Sequence, residues 1–271
     1  MRYTGYFTQS AASGYTAVAP TRLADTRNGT GVARGQLAGH GSFPVQIAGN
    51  SGLLSSGITA VALNVTVTGS HEAGYLTAYP DGQQPPLASN VNFGPGQTIA
   101  NSVIVPVGSD GKVSIFNGSP LPTDVVVDVV GYYSEASKSA YLPILPKRLL
   151  DTRDSTKWSS GPLPNGDYIY MPLGNRSPDI TGFVLNTTVT NTKGAGYLTV
   201  SPDPNSLAQY NDGSAEWPDR PLVSTLNWLP GHTVPNLVQA TPGPDGIVDF
   251  WNSGSGSLDL VVDAFGFYQN D

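Results

Sequence analysis

ITAVALNVTVT, residues Ile58–Thr68, alternates apolar and polar side chains over its second half, as a strand with one face on a core must. The chain then writes the pattern again. VLNTTVT ends at Thr190, 122 residues after ALNVTVT ends at Thr68, and AGYLTVSPD follows it in the same register as AGYLTAYPD follows the first. Working outward, Tyr15–Arg27 meets Tyr141–Arg153 at an offset of 126, and SNVNFGPGQTIAN meets STLNWLPGHTVPN at an offset of 135. That offset holds through DGKVSIFN and DGIVDFWN to TDVVVDVVGYY and LDLVVDAFGFY. Matches in this order over most of both halves mark an internal duplication rather than a chance motif.

The segments YLTAY, SVIVPV, KVSIFN and DVVVDVVGYY are β-branched and aromatic runs bounded by Gly, Pro and Asp-Gly, and nothing shows a sustained helical period. Asp110-Gly111 and Asp245-Gly246 each separate two such runs, the pattern of a two-residue hairpin turn. The expected fold is all-β: two tandem β-sandwich domains from an internal duplication, with jelly-roll and immunoglobulin-like topologies both open. The expected boundaries are 15–138 for the first unit and 139–271 for the second, which carries an inserted loop at 204–221. Residues 1–14 read as the end of a preceding repeat or a linker, because Gly5-Tyr6-Phe7 matches the phrase that closes each unit at Gly131 and Gly266. On that reading the chain is cut from a longer protein, or begins with an orphan final strand that must find a sheet to join. Pro143 and Pro146 stiffen the approach to the second unit.

Composition narrows the function. Of 271 residues, 39% are hydrophobic, enough for packed cores, while charged residues are only 12%. A formal net charge of −7 argues against a nucleic-acid partner, which needs clustered Lys and Arg. No apolar run has the length of a membrane span. With no cysteine, disulfides, thiol catalysis and thiolate metal sites are excluded. The low-charge, Thr/Asn/Gly-rich mixture points to a secreted, extracellular or cell-surface location.

The second repeated feature is RLADTR at Arg22–Arg27 and RLLDTR at Arg148–Arg153. Asp124 and Asp128 lie four apart in a strand and so share one face of an otherwise apolar run. A buried carboxylate must be paired, and the arginines of the opening stretch are the basic residues repeated in step with it. Arg22, Asp25, Arg27, Asp124 and Asp128, with the second set Arg148, Asp151, Arg153, Asp259 and Asp263, therefore read as a structural clasp tying the first segment of each unit to its last strand. The competing reading, Asp25 and Asp128 as a glycosidase acid and base, is weaker, since a carboxylate locked to Arg has its pKa lowered. No catalytic residue is assigned.

The pattern P-x-R-L-x-D-T-R, L-N-V-T-V-T, G-Y-L-T, S-N-x-N-F, G-Q-T-x-A-N, D-G-x-V and D-V-V-G-Y-Y resembles a repeat of secreted actinobacterial proteins, often found in tandem and appended to hydrolases. The second unit departs from it with NTTVT, STLNW and GHTVPN. The resemblance implies an accessory, surface-acting module and no particular chemistry.

What differs between the copies is then the more informative signal. All 4 Trp lie in the second half. Trp228 and Trp251 stand where the first unit has Phe93 and Phe116, a core exchange, but Trp158 and Trp217 have no aromatic counterpart. The inserted loop carries Tyr210 and Trp217 beside Asp212, Glu216, Asp219 and Arg220. Aromatic rings stack on apolar sugar faces while polar neighbours read hydroxyls, so Trp158, Tyr210, Trp217, Asp219 and Arg220 form the candidate ligand site. The alternative is that both Trp pack their own loops or fill the contact between units. The acidic residues of the loop leave Ca²⁺ possible, but no EF-hand-like spacing supports a metal site, and no cofactor is expected. His40, His71 and His232 do not repeat in step and show no ligand spacing. The expected function is non-catalytic binding of a polysaccharide or cell-wall glycan within a larger secreted protein whose upstream domain is a partner. A structural spacer or adhesion stalk and a polysaccharide-acting enzyme are the alternatives.

Overall fold

The computed structural model describes residues 13–154, 161–174 and 179–270. The first unit comprises β1 (Gly14–Asp25), β2 (Ser42–Gln46), β3 (Ile58–Thr68), β4 (Gly74–Pro80), β5 (Val91–Phe93), β6 (Ile99–Pro106), β7 (Lys112–Asn117) and β8 (Asp124–Ser134). The second follows with β9 (Ser139–Asp151), β10 (Tyr168–Pro172), β11 (Ile180–Thr190), β12 (Gly196–Pro202), α1 (Leu207–Asp212), β13 (Leu226–Trp228), β14 (Val234–Ala240), β15 (Ile247–Asn252) and β16 (Asp259–Asn270). The fold is all-β, with two antiparallel sandwiches of matching strand order. In unit 1, β1-β8-β3-β6 faces β2-β7-β4-β5; in unit 2, β9-β16-β11-β14 faces β10-β15-β12-β13.

Alternation builds each core. Val61, Leu63, Val65 and Val67 of β3 join Val125, Val127 and Val129 of β8 and Val113 and Ile115 of β7. Leu185 and Val189 of β11 do the same with Leu260 and Val262 of β16 and Val248 and Phe250 of β15. Each such side chain contributes about 1.5–3 kcal/mol on burial. The polar alternates Asn64 and Thr66 point to the outer face.

One expectation needs correction. The Asp-Gly pairs do not close hairpins, because β6 and β7 belong to opposite sheets, as do β14 and β15. Gly111 and Asp245, at φ 78 and 54, turn the chain across the sandwich instead. The two sandwiches are also joined directly. β1 and β9 meet at Tyr15↔Ser139, joining the two halves into one eight-stranded sheet.

At the junction, Tyr15, Ala62, Tyr133, Val184 and Tyr268 form a third core. Tyr15 stacks on Tyr268 at 4.0 Å between ring centroids. The Tyr133 and Tyr268 hydroxyls lie 2.7 Å apart, and Tyr268 donates to Gln239 Oε1 at 2.9 Å. This explains the closing G-[YF]-[YF] phrase. A Cβ on Gly131 would lie 2.1 Å from the Tyr15 hydroxyl oxygen, and one on Gly266 would lie 2.5 Å from a ring carbon of Tyr141. Only glycine lets the first strand's tyrosine lie across the last strand of its unit.

Candidate functional site

Strand pairing carries the duplicated Arg/Asp set onto the outer face of each long sheet. In unit 1, Arg22 sits opposite Asp128 and donates from Nε to Asp128 Oδ1 at 2.5 Å and from Nη1 to Asp25 Oδ2 at 2.8 Å. Arg27 grips Asp25 with both ends of its fork, at 2.9 and 2.7 Å. In unit 2, Arg148, Asp151, Arg153 and Asp263 repeat the geometry: Arg148 reaches Asp151 at 2.8 Å, and Arg153 grips Asp151 at 2.8 and 2.7 Å. Asp124 and Asp259 belong to neither fork. Thr26 and Gln36 donate to Asp124, and Thr152 and Asn191 to Asp259, so hydroxyls and amides, not arginines, hold these carboxylates.

The expectation that Arg pairing lowers both clasp carboxylates needs correction. At Asp25, burial is outweighed by the hydrogen bonds and charges of Arg27 and Arg22, and the carboxyl is held below its ordinary value. At Asp128, burial wins against Arg22 and pushes the carboxyl up to about 6. Opposite shifts on neighbouring carboxylates superficially suit acid and base roles. Both are only 1% exposed, however, and Asp128 shares a small cavity with Val223 and Ser224 of unit 2.

The inserted loop builds a different surface, on the outer face of the short sheet of unit 2. There Tyr168 and Tyr170 of β10 and Asp249 and Trp251 of β15 occupy positions held in unit 1 by Ser42, Pro44, Ser114 and Phe116. Trp251 is buried and stacks on Tyr168 at 4.4 Å. Trp217, 66% exposed, stands edge-on to Tyr168 at 4.9 Å, while Tyr210 of α1 stacks on Tyr170 at 3.8 Å. A capping box from Ser206 and Gln209 starts α1, and Gly213 in a left-handed conformation ends it. The loop thereby presents Tyr210 to the sheet.

Beneath the rings, Tyr210 donates to Asp203 Oδ2, and its hydroxyl lies 3.1 Å from that of Tyr168. Burial first, and the adjacent Asp203 second, push Asp249 up to about 9. Unit 1 solves the same position with a hydroxyl, since Ser114 donates to Asp81.

Of the residues singled out in the sequence, Tyr210 and Trp217 join this cluster. Asp219 and Arg220 follow the buried Pro218 and stand exposed. Trp158 lies outside the described residues. Tyr168, Tyr170, Asp203, Asp249 and Trp251 belong to the site but were not singled out for it. The available signal was the change from SFPVQ to YIYMP between matched β2 and β10, where two aromatic rings appear two residues apart on one face.

A second concavity, about 200 Å³, opens between the units, lined by Arg22, Arg27, Thr68, Thr98, Tyr197 and Asn227 among others. Among the described residues, no group of three or more His, Asp or Glu side chains is placed to hold a metal ion. No described helix is long and apolar enough to cross a membrane.

No family model matches the chain, and no curated protein sequence matches it. Among solved structures, the N-terminal tandem CBM22-1–CBM22-2 domain of Paenibacillus barcinonensis Xyn10C aligns over 94% of this chain and 98% of its own, at 8% identity and a TM-score of 0.26. The major capsid protein P2 of bacteriophage PM2 aligns over 94% and 97%, at 8% identity and a TM-score of 0.20. Both scores are too low for either likeness to bear on the function of this chain.

Proposed function

We propose that this chain is a non-catalytic tandem module that binds a glycan or cell-surface polymer through unit 2 and displays a larger secreted protein at its target. The observation that carries the reading is Trp217. A tryptophan left two-thirds exposed, braced edge-on by Tyr168 beside the Tyr170–Tyr210 stack, is a rigid aromatic platform with polar neighbours. Unit 1 has serine and proline at the matched strand positions, so the platform belongs to what the duplication changed. No cofactor is required, and the upstream domain of the same polypeptide is the partner whose delivery the module serves. The resemblance to secreted actinobacterial repeats supports the location.

The test is retention on insoluble cell-wall and plant polysaccharides, followed by titration of any soluble fragment that competes. Trp217→Ala should weaken binding about 30-fold or more, as loss of a central aromatic anchor does, and Tyr170→Ala should weaken it less. Binding that survives the double variant overturns this site.

A structural spacer is the second reading, favoured by the shared sheet and the Tyr15–Tyr133–Tyr268 junction, which hold the units in one orientation. It predicts no saturable glycan binding. Catalysis by the clasp is disfavoured by the burial of Asp25 and Asp128, each 1% exposed.

A further inference from the structure

We propose that the outer face of unit 2 around Arg148, Asn186 and Thr188 docks the Pro86–Ser89 loop of a second copy of this chain. The inference is independent of the glycan reading and rests on an interface the chain already makes with itself. On the outer face of unit 1, Arg22 Nη2 donates to the Leu222 carbonyl at 3.0 Å, Asn64 donates to the Ser224 carbonyl, and the Thr66 and Ser224 hydroxyls lie 3.4 Å apart. The acceptor is a set of side-chain donors on a sheet face. The occupant is the Pro221–Ser224 segment, bent at Leu222, offering its carbonyls.

The duplication retains both halves of this contact. Arg148, Asn186 and Thr188 hold the places of Arg22, Asn64 and Thr66, and Pro86-Leu87-Ala88-Ser89 holds the place of Pro221-Leu222-Val223-Ser224. Among the described residues, neither retained half is engaged in this way. The Arg148 side chain is 48% exposed where Arg22 is 22%, and Asp263 is 22% exposed where Asp128 is 1%. Asn64 and Thr66 are buried, while Asn186 and Thr188 are half-exposed. Val223 is buried, while Ala88 and Ser89 stand in solvent. The donors of unit 2 turn to longer local contacts, Arg148 Nη2 to Asp263 Oδ2 at 3.3 Å and Asn186 Nδ2 to the Thr188 hydroxyl at 3.3 Å, beyond the usual range for a strong hydrogen bond.

Val184 and Tyr268, further along the same face, are already covered by unit 1, which confines docking to the Arg148–Thr188 half. Because donor loop and acceptor face are different patches, the contact is heterologous, and copies add head to tail.

Sedimentation velocity of the full chain, at concentrations up to about 1 mM, is sensitive even to a millimolar dissociation constant. The expected result is an average mass that climbs with concentration past that of a dimer. Ser89→Trp blocks the loop and Asn186→Trp the face, and each alone should leave the protein monomeric. Mixed together, they should form a one-to-one pair, because one retains the face and the other the loop. Thr188→Lys, at a half-exposed position, supplies a second face variant should Asn186→Trp disturb the fold, which far-UV circular dichroism reports. A wild-type chain that stays monomeric, association that survives either blocked patch, or a mixture that fails to pair would each overturn the proposal.

Discussion

Units 1 and 2 carry the same Arg/Asp clasp in different surroundings, and the surroundings set its energetics. In unit 1, Asp25 and Asp128 are buried at 1% exposure; in unit 2, Asp151 and Asp263 face solvent at 16% and 22%. Burial raises Asp128 to about 6, whereas hydrogen bonds from Arg153 hold Asp151 down at about 2. One motif thus yields a desolvated pair in one copy and a solvated pair in the other. A buried pair costs several kcal/mol in desolvation and becomes expensive to break, while an exposed pair is worth little.

The sharpest break of the comparison is to delete matched carboxylates. Asp128→Ala, which removes the Nε partner of Arg22 but leaves its bonds to Asp25 and the Leu222 carbonyl, should destabilise unit 1 by about 1–3 kcal/mol, and Asp263→Ala should cost unit 2 only about 0–1 kcal/mol. Urea unfolding followed by far-UV circular dichroism for the whole chain, and by Trp fluorescence for unit 2, where all 4 Trp lie, compares the two variants. Equal losses would mean that burial by the second unit does not govern the clasp.

The next contrast is between Asp249 and Ser114. Asp249 is raised to about 9 in the folded protein, far above the ordinary carboxylate value of about 3.9. Its contribution is therefore complete below about pH 4 and is lost as pH rises through about 9. Trp-detected stability of unit 2 should fall across that window. Asp249→Ser, which installs the hydroxyl that unit 1 uses, should flatten the dependence and recover about 1–3 kcal/mol at the alkaline end, the scale of a buried polar group left unsatisfied. Unchanged pH dependence in the variant would reassign the effect.

The smallest effect sharpens the distinction between binding and packing. Trp217→Ala should change stability by no more than about 0.5 kcal/mol, as exposed substitutions do, while weakening glycan binding about 30-fold or more. A large loss of stability in thermal unfolding would instead make Trp217 a clamp on its loop.

Much of the architecture was legible before any coordinates. Alternation in Ile58–Thr68 and its copy places Leu63 and Leu185 inside, and the spacing of Asp124 and Asp128 puts both on one face. The partner of Asp128 was legible because Arg22 repeats in step with it. The partners of Asp124 were not, because Thr26 and Gln36 carry no charge to announce them. The site was half legible. Tyr210 and Trp217 stood out as unmatched aromatics in an insertion, but Tyr168 and Asp249 meet them only through strand pairing.

Local chemistry, then, was enough to establish the duplication, the strands, their inward faces and the Arg/Asp fork, because period-2 alternation and short-range pairing act within a few residues. The shared eight-stranded sheet, the turning of each Asp-Gly corner from one sheet to the other, the burial of one clasp but not its twin, and the raised Asp249 came only with the tertiary structure. Each depends on which surfaces meet in the folded chain, and for the shared sheet and the buried clasp the meeting residues lie more than a hundred apart in sequence. Desolvation, unlike alternation, is a property of what covers a residue and leaves no mark on its neighbours in sequence.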